Sequence, residues 1–282
     1  MHFLIILLGV MSLLGAGKAG GGGGGGGPSL SFGIDATNYA GGWNTTTMPL
    51  ACPSANCPVT GSSSTQFGIG AASANRVVIA LFGYNGAGAS PNATITGVMF
   101  NGTVSGASCT GGTAATQAID GNFAGPNNGN SGIWYAAVSS GTTAAICFTA
   151  VGGNGWGGQG VVTVVTLTDS LGAGHIAVSS TNGAFPPGYN VTNCASNICT
   201  NSWTGTTVPS GGIGLTASIN QGSPGTATWS GTASPTGSVN PNNSGVGGSI
   251  SSALGYWTTS GTVTQAEATS GFAGFAGAVF QP

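Results

Sequence analysis

Between Arg76 and Asp169 the chain is a succession of short apolar or alternating runs, each closed by Gly, Asn, Ser or Thr. RVVIALFGY (76–84), ITGVMF (95–100), GIWYAAV (132–138), AAICFTAV (144–151) and GVVTVVTLTD (160–169) are rich in β-branched and aromatic residues, the pattern of consecutive β-strands. Val77–Phe82 is apolar on both faces, which predicts a strand covered on both sides. In Ile95–Phe100 the alternation of apolar positions breaks at Gly97, and a β-bulge there would return Ile95, Val98 and Phe100 to one face. Ile133–Val138 and Ala144–Val151 predict a hairpin turning through Ser139–Thr142, with Ile146 and Phe148 facing the core and Cys147 facing away.

The same signals recur at Leu30–Ile34, Gln66–Ile69, Ile213–Ala217, Ala227–Trp229, Leu254–Trp257, Val263–Ala266 and Phe272–Phe280. No apolar pattern of helical period lasts three turns after Ser29, and Gly recurs too densely for one. Roughly a dozen strands in one unit predict an all-β fold, an antiparallel β-sandwich of jelly-roll type over residues 29–282. Two segments precede it. Met1–Ala19 carries an apolar run too short to span a bilayer comfortably, and reads either as a signal segment or as a retained apolar anchor. Residues 20–28, eight glycines and Pro28, read as a flexible linker.

Charge narrows the partners. Only 2% of the 282 residues are charged: Lys18, Arg76, Asp35, Asp120, Asp169 and Glu267, where an ordinary globular protein has roughly 25%. Two cations cannot neutralise a run of phosphates, so nucleic acid is not an expected partner. Four acids and two histidines leave little material for acid–base chemistry; His175 with Asp169 lacks the elbow motif of a serine hydrolase, and no enzyme activity and no cofactor are expected.

The remaining chemistry is sparse. Cys52–Cys57 and Cys194–Cys199 share one four-residue spacer, leaving Cys109 and Cys147 as a third pair. Disulfides in an oxidising setting are the favoured reading over zinc, whose structural knuckles are tighter. Asp120 and Asn122 open an oxygen-rich loop that offers hard ligands to Ca²⁺, although the loop also has the composition of a turn. Trp156 and Trp203 lie in Gly- and Asn-rich surroundings read as loops, where an exposed indole stacks on a sugar.

ITGVMFNGT, AATQAID, GIWYAAVSSGTTAAICFTAV and GVVTVVTLTD, in that order over Ile95–Asp169, resemble a β-domain of tailed-bacteriophage and prophage virion proteins. That resemblance implies a non-enzymatic virion structural protein, fibre-like or a decoration component, at the virion surface or otherwise extracellular. It implies other virion proteins as partners, self-association with a trimer as the favoured state, and contact with host cell-surface glycans. The alternative is a bacterial surface adhesin or carbohydrate-binding module secreted through Met1–Ala19.

Overall fold

The apolar runs are strands, and almost nothing else is regular. The computed structural model describes residues 30–34, 41–43, 58–62, 66–85, 94–105, 108–121, 129–151, 159–182, 198–221, 227–238, 242–243, 250–268 and 272–282. Residues 1–28, with the anchor and glycine linker expected there, lie outside them. Eight principal strands form a first unit: β1 (Leu30–Ile34), β2 (Pro58–Ser62), β3 (Arg76–Asn85), β4 (Thr94–Phe100), β5 (Thr116–Gly121), β6 (Gly129–Ala137), β7 (Ile146–Val151) and β8 (Gln159–Asp169). Eight more follow: β9 (Ala177–Asn182), β10 (Ile198–Thr206), β11 (Ile213–Gln221), β12 (Ala227–Ser230), β13 (Thr236–Ser238), β14 (Ile250–Trp257), β15 (Gly261–Ala268) and β16 (Phe272–Gln281). A single 3₁₀ turn, Ala173–His175, is the one helical element among the described residues.

All pairings are antiparallel, and the two units are wired alike. In the first, one sheet runs β1-β8-β3-β6-β5 and the other β2-β7-β4; in the second, the sheets run β9-β16-β11-β14-β13 and β10-β15-β12. Adding eight to each label of the first unit gives the second. Each is a jelly-roll-like sandwich, with the difference that β5 and β13 pair into the inner sheet rather than extend the outer one.

The sandwich foreseen over residues 29–282 is therefore a stack of four sheets with three apolar layers between them. Val78, Ala80, Phe82, Trp134, Val162 and Val164 meet Ile95, Val98, Phe100, Ile146 and Phe148 inside the first unit. The opposite face of the same strands, Val77, Ile79, Leu81, Ile133, Val165 and Leu167, meets Ile213, Leu215, Leu254, Ala276, Ala278 and Phe280 of the second unit. Tyr135 and Phe280 touch edge to face across this layer, ring centroids 5.4 Å apart. Val263, Ala233, Val279, Trp257 and Trp203 fill the third layer. This is why β3 is apolar on both faces: it lies in an inner sheet.

Across the middle layer β3 lies against β11, β6 against β16, and β8 against β14. The lateral strand order of one inner sheet is thus reversed over the other. A two-fold axis parallel to the strands produces that reversal, and it leaves corresponding strands pointing the same way. Register agrees: Leu30 pairs with Asp169 and Ala177 with Gln281, and the short linker 170–176 joins the two ends. At this linker pole Leu30 donates to the Gly211 carbonyl at 2.9 Å and Ala173 to Ala74 at 3.3 Å. The β2–β3, β4–β5 and β6–β7 connections lie at the linker pole; β1–β2, β3–β4, β5–β6 and β7–β8 leave from the opposite pole, and the second unit repeats this.

Two sequence expectations meet different outcomes. The bulge is present: Thr149 opposes Gly97 and Ala150 opposes Ile95, so Thr96 is the extra residue. The hairpin through Ser139–Thr142 is not a hairpin. β6 pairs with β3 and β5 in the inner sheet, whereas β7 pairs with β2 and β4 in the outer one. Ser139–Thr142 is a corner that carries the chain between layers. Both strands need an apolar face toward the same core, and they satisfy it from opposite sides.

Arg76 holds that corner. Its side chain, at the head of β3, is only 2% exposed, and its partners are backbone carbonyls, with no carboxylate among the described residues. Nε donates to Val138 at 2.9 Å; Nη1 to Ile69, Gly70 and Ala71 at 2.9, 3.0 and 2.8 Å; Nη2 to Ser140 and Gly141 at 2.9 and 3.0 Å. Gly70 and Gly141 adopt positive φ of 73° and 72°, which lets successive carbonyls turn toward one guanidinium. Burial lowers the Arg76 pKa, because desolvation disfavours the cation; the group nonetheless stays protonated at ordinary pH. Arg76→Met should cost about 3–5 kcal/mol in denaturant unfolding, since six converging carbonyls lose their donors. Arg76→Lys, with three donors on a point charge, should fall between Met and wild type. Equal stability of all three would contradict this role.

Candidate functional site

Strand alternation decides where each side chain of chemical interest ends up. Trp203 lies in β10, not in a loop, and its neighbours Ser202 and Thr204 point to solvent. Its own ring turns inward and meets Trp257 edge to face, 5.8 Å away. A Cβ on Gly277 would approach the Trp203 ring to 2.8 Å, so that glycine is the seat of the indole. The half-buried Trp203 therefore covers the third apolar layer rather than standing free as a sugar platform.

Two other indoles of the second unit sit the same way. A Cβ on Gly214 would collide with Trp257, and one on Gly255 would collide with Trp229. Trp229 Nε1 also donates to Thr216 Oγ1 at 3.3 Å, and the same hydroxyl accepts from Gly255 N at 3.2 Å. Glycines on the second inner sheet thus make three flat berths for three tryptophans. A Gly in one strand opposite a Trp in another is the sequence signal, but it becomes readable only once strand order is known. Beside the Trp203 ring, Thr216, Val263, Gln265, Phe275 and Gly277 line a small pocket of about 10 Å³, room for one water.

Asp169 and His175 do not form a catalytic pair. Asp169 is fully buried at the end of β8, where Oδ1 accepts from Leu171 N at 3.1 Å and its carbonyl accepts from Gly172 N at 3.1 Å. That is an Asx-type turn, and it starts the linker between the units. His175 is exposed in the 3₁₀ turn that follows, and no hydrogen bond joins it to Asp169. Leu171 between them is 56% exposed, the most solvent-facing large apolar side chain described.

Cys109 and Cys147 form a disulfide with Cα atoms 5.9 Å apart. Ile146 and Phe148 flank Cys147 in the first core, so Cys147 faces outward as its position in β7 requires. The bond fastens the Thr103–Ser105/Ser108–Thr110 hairpin to the outer face of the first unit. Cys52, Cys57 and Cys194 lie outside the described residues; Cys199 belongs to β10.

The tentative calcium ligands are divided: Asp120 belongs to β5, while Asn122 and Trp156 lie outside the described residues. No group of three or more His, Cys, Asp or Glu with metal-binding geometry occurs among the described residues. In sequence, Asn122 falls between β5 and β6, Trp156 between β7 and β8, Cys52 and Cys57 between β1 and β2, and Cys194 between β9 and β10; the described strand ends that flank each gap lie at the pole opposite the linker. No protein-family model, curated protein or solved structure matches the chain.

Gly214→Ala tests the berths. Its methyl would overlap the Trp257 indole, and overpacking of this kind costs about 1–3 kcal/mol. Red-shifted or quenched tryptophan fluorescence should accompany the loss. Gly174→Ala, where a Cβ meets nothing within 4 Å, should leave both stability and spectrum unchanged.

Proposed function

We propose that the protein is a non-enzymatic structural component of a virion, fibre-like or decorating, that is held at one pole and displays the other. The observation that carries this reading is the polarity of the stack. Residue 30, where the N-terminal segment enters, lies at the linker pole with Asp169, Ala177 and Gln281. Residues 1–29, with their apolar run and glycine tract, join the body at that end, while the connections bearing Trp156 and Asn122 leave from the other. In this reading the N-terminal segment makes the contact with other virion proteins, self-association included, and the far pole meets host-surface glycans.

Composition and covalent structure support the same setting. A described exterior of Ser, Thr, Gly and Asn with 2% charge is little affected by ionic strength, and a disulfide on the outer sheet suits an oxidising environment. Jelly rolls recur in viral coat and lectin domains, an analogy of fold rather than of site.

Lysine labelling gives a clean test, because Lys18 is the chain's one lysine. Asn154→Lys, in the β7–β8 connection, should react with an amine reagent on intact purified particles. Thr258→Lys, exposed in the β14–β15 turn at the linker pole, should react only after disassembly. Absence of the chain from purified particles, or equal labelling at both positions, would contradict the proposal.

A further inference from the structure

We infer that the flank of the molecule carrying β1 and β13 pairs edge to edge with the same flank of a second copy of this chain. Strand order gives the two modules two common flanks. β8 lies against β14 and β5 against β9, so β1 and β13 border one flank while β5 and β9 border the other. The outer sheets follow: β12 lies beside β13 and β10 beside β16, which puts β12 on the first flank and β10 on the second; β4 lies beside β5, which leaves β2 on the first. Among the described residues each of these edge strands is paired on one side only, and its other side presents a row of backbone donors and acceptors.

The two flanks treat that row differently. On the second flank β5, β9 and β10 each carry a β-bulge. The extra residue is Ala118 in β5, Ser179 in β9 and one of Thr204 and Gly205 in β10, where Gly205 takes a φ of 67°. A bulge twists an edge away from an incoming strand, and β5 also holds Asp120, the one charged residue on these edge strands. On the first flank the ladders run without a shift. Leu30–Ile34 and then Gly41–Trp43 border β8, opposite residues 165–169 and 160–162. Thr236–Ser238 and then Asn242–Asn243 border β14, opposite residues 254–256 and 250–251. β2 and β12 are equally regular, but β2 begins with Pro58, which has no N–H to offer, and β12 is only four residues long. The rims of the two inner sheets are therefore the pairing edges.

The same asymmetry selects the partner. A regular, uncharged edge is complementary to another of its kind, and this chain has such edges on one flank. A second copy must then meet it with its own first flank, an isologous contact that closes at two copies and not at the three implied by the resemblance. A two-fold axis along the stacking direction sets β1 on β1 and β13 on β13, both antiparallel, as are all the described pairings within the chain. It also continues the middle apolar layer from one copy into the next, at a rim where Leu30 is only partly buried.

The inference is independent of the virion reading and is tested on the full-length chain in solution. Sedimentation equilibrium up to the solubility limit should give a mass of two chains. The alternate amides of β1 and β13 that point away from β8 and β14 gain a hydrogen bond in the pair. They should exchange about tenfold more slowly than the outward amides of β5 and β9. Ser31→Lys with Ser238→Lys puts a charge on each pairing rim and should give a folded single chain, whereas Thr181→Lys, exposed on β9, should leave the mass at two chains. A single-chain mass for the wild type, a mass of three or more chains, or a dimer whose outward β1 and β13 amides exchange as fast as those of β5 and β9 would overturn the inference. Should the double lysine variant not fold, the mass and exchange pattern of the wild type decide alone.

Discussion

Two sheets in this protein are apolar on both faces, and everything else follows from the need to cover them. Each inner sheet has one face closed by the outer sheet of its own jelly roll. The other face, with Val77, Ile79, Leu81 and Leu167 on one side and Leu215, Leu254 and Phe280 on the other, can be closed only by the other module. Fully burying each such side chain contributes about 1.5–3 kcal/mol, so the middle layer is a core in its own right and not a loose domain contact. Neither module can leave the other without wetting it.

The described polar groups that fix corners and turns do so with hardly any charge. Where a corner has to be fixed, a single guanidinium gathers six carbonyls, and burial alters its pKa without removing its proton. Where flat rings must enter between sheets, glycines remove the Cβ that would block them. Strand turns are stopped by local devices such as the Asp169 side chain. Hydroxyls pair across the outer face of the second unit, as Ser202 and Thr264 do at 2.9 Å. None of these depends on long-range electrostatics.

Much of this was legible in the residues and some was not. Periodicity gives which face of a strand is apolar, and it placed β3 in a doubly covered position and Cys147 away from the core. It does not say which strand is a neighbour. Ser139–Thr142 has the chemistry of a turn whether the chain reverses within a sheet or steps between sheets, so its residues predict a hairpin where a corner exists. Thr, Asn and Ser around Trp203 have the composition of a loop; Ser202 and Thr204 form the solvent face of β10, and the inward face is carried by the indole. The role of Arg76 had a signal, a lone cation at the head of an apolar strand, but its six partners come from segments whose convergence only the fold reveals.

The central claim is that two modules of like polarity share one apolar layer. A double-mutant cycle across that layer tests it most directly. Tyr135 on β6 and Phe280 on β16 meet edge to face in the middle of the stack, and they come from different modules. Unfolding free energies of Tyr135→Ala, Phe280→Ala and the double variant should show a favourable coupling of about 0.5–1.5 kcal/mol. Strict additivity of the two substitutions would mean that the inner sheets do not face each other as described.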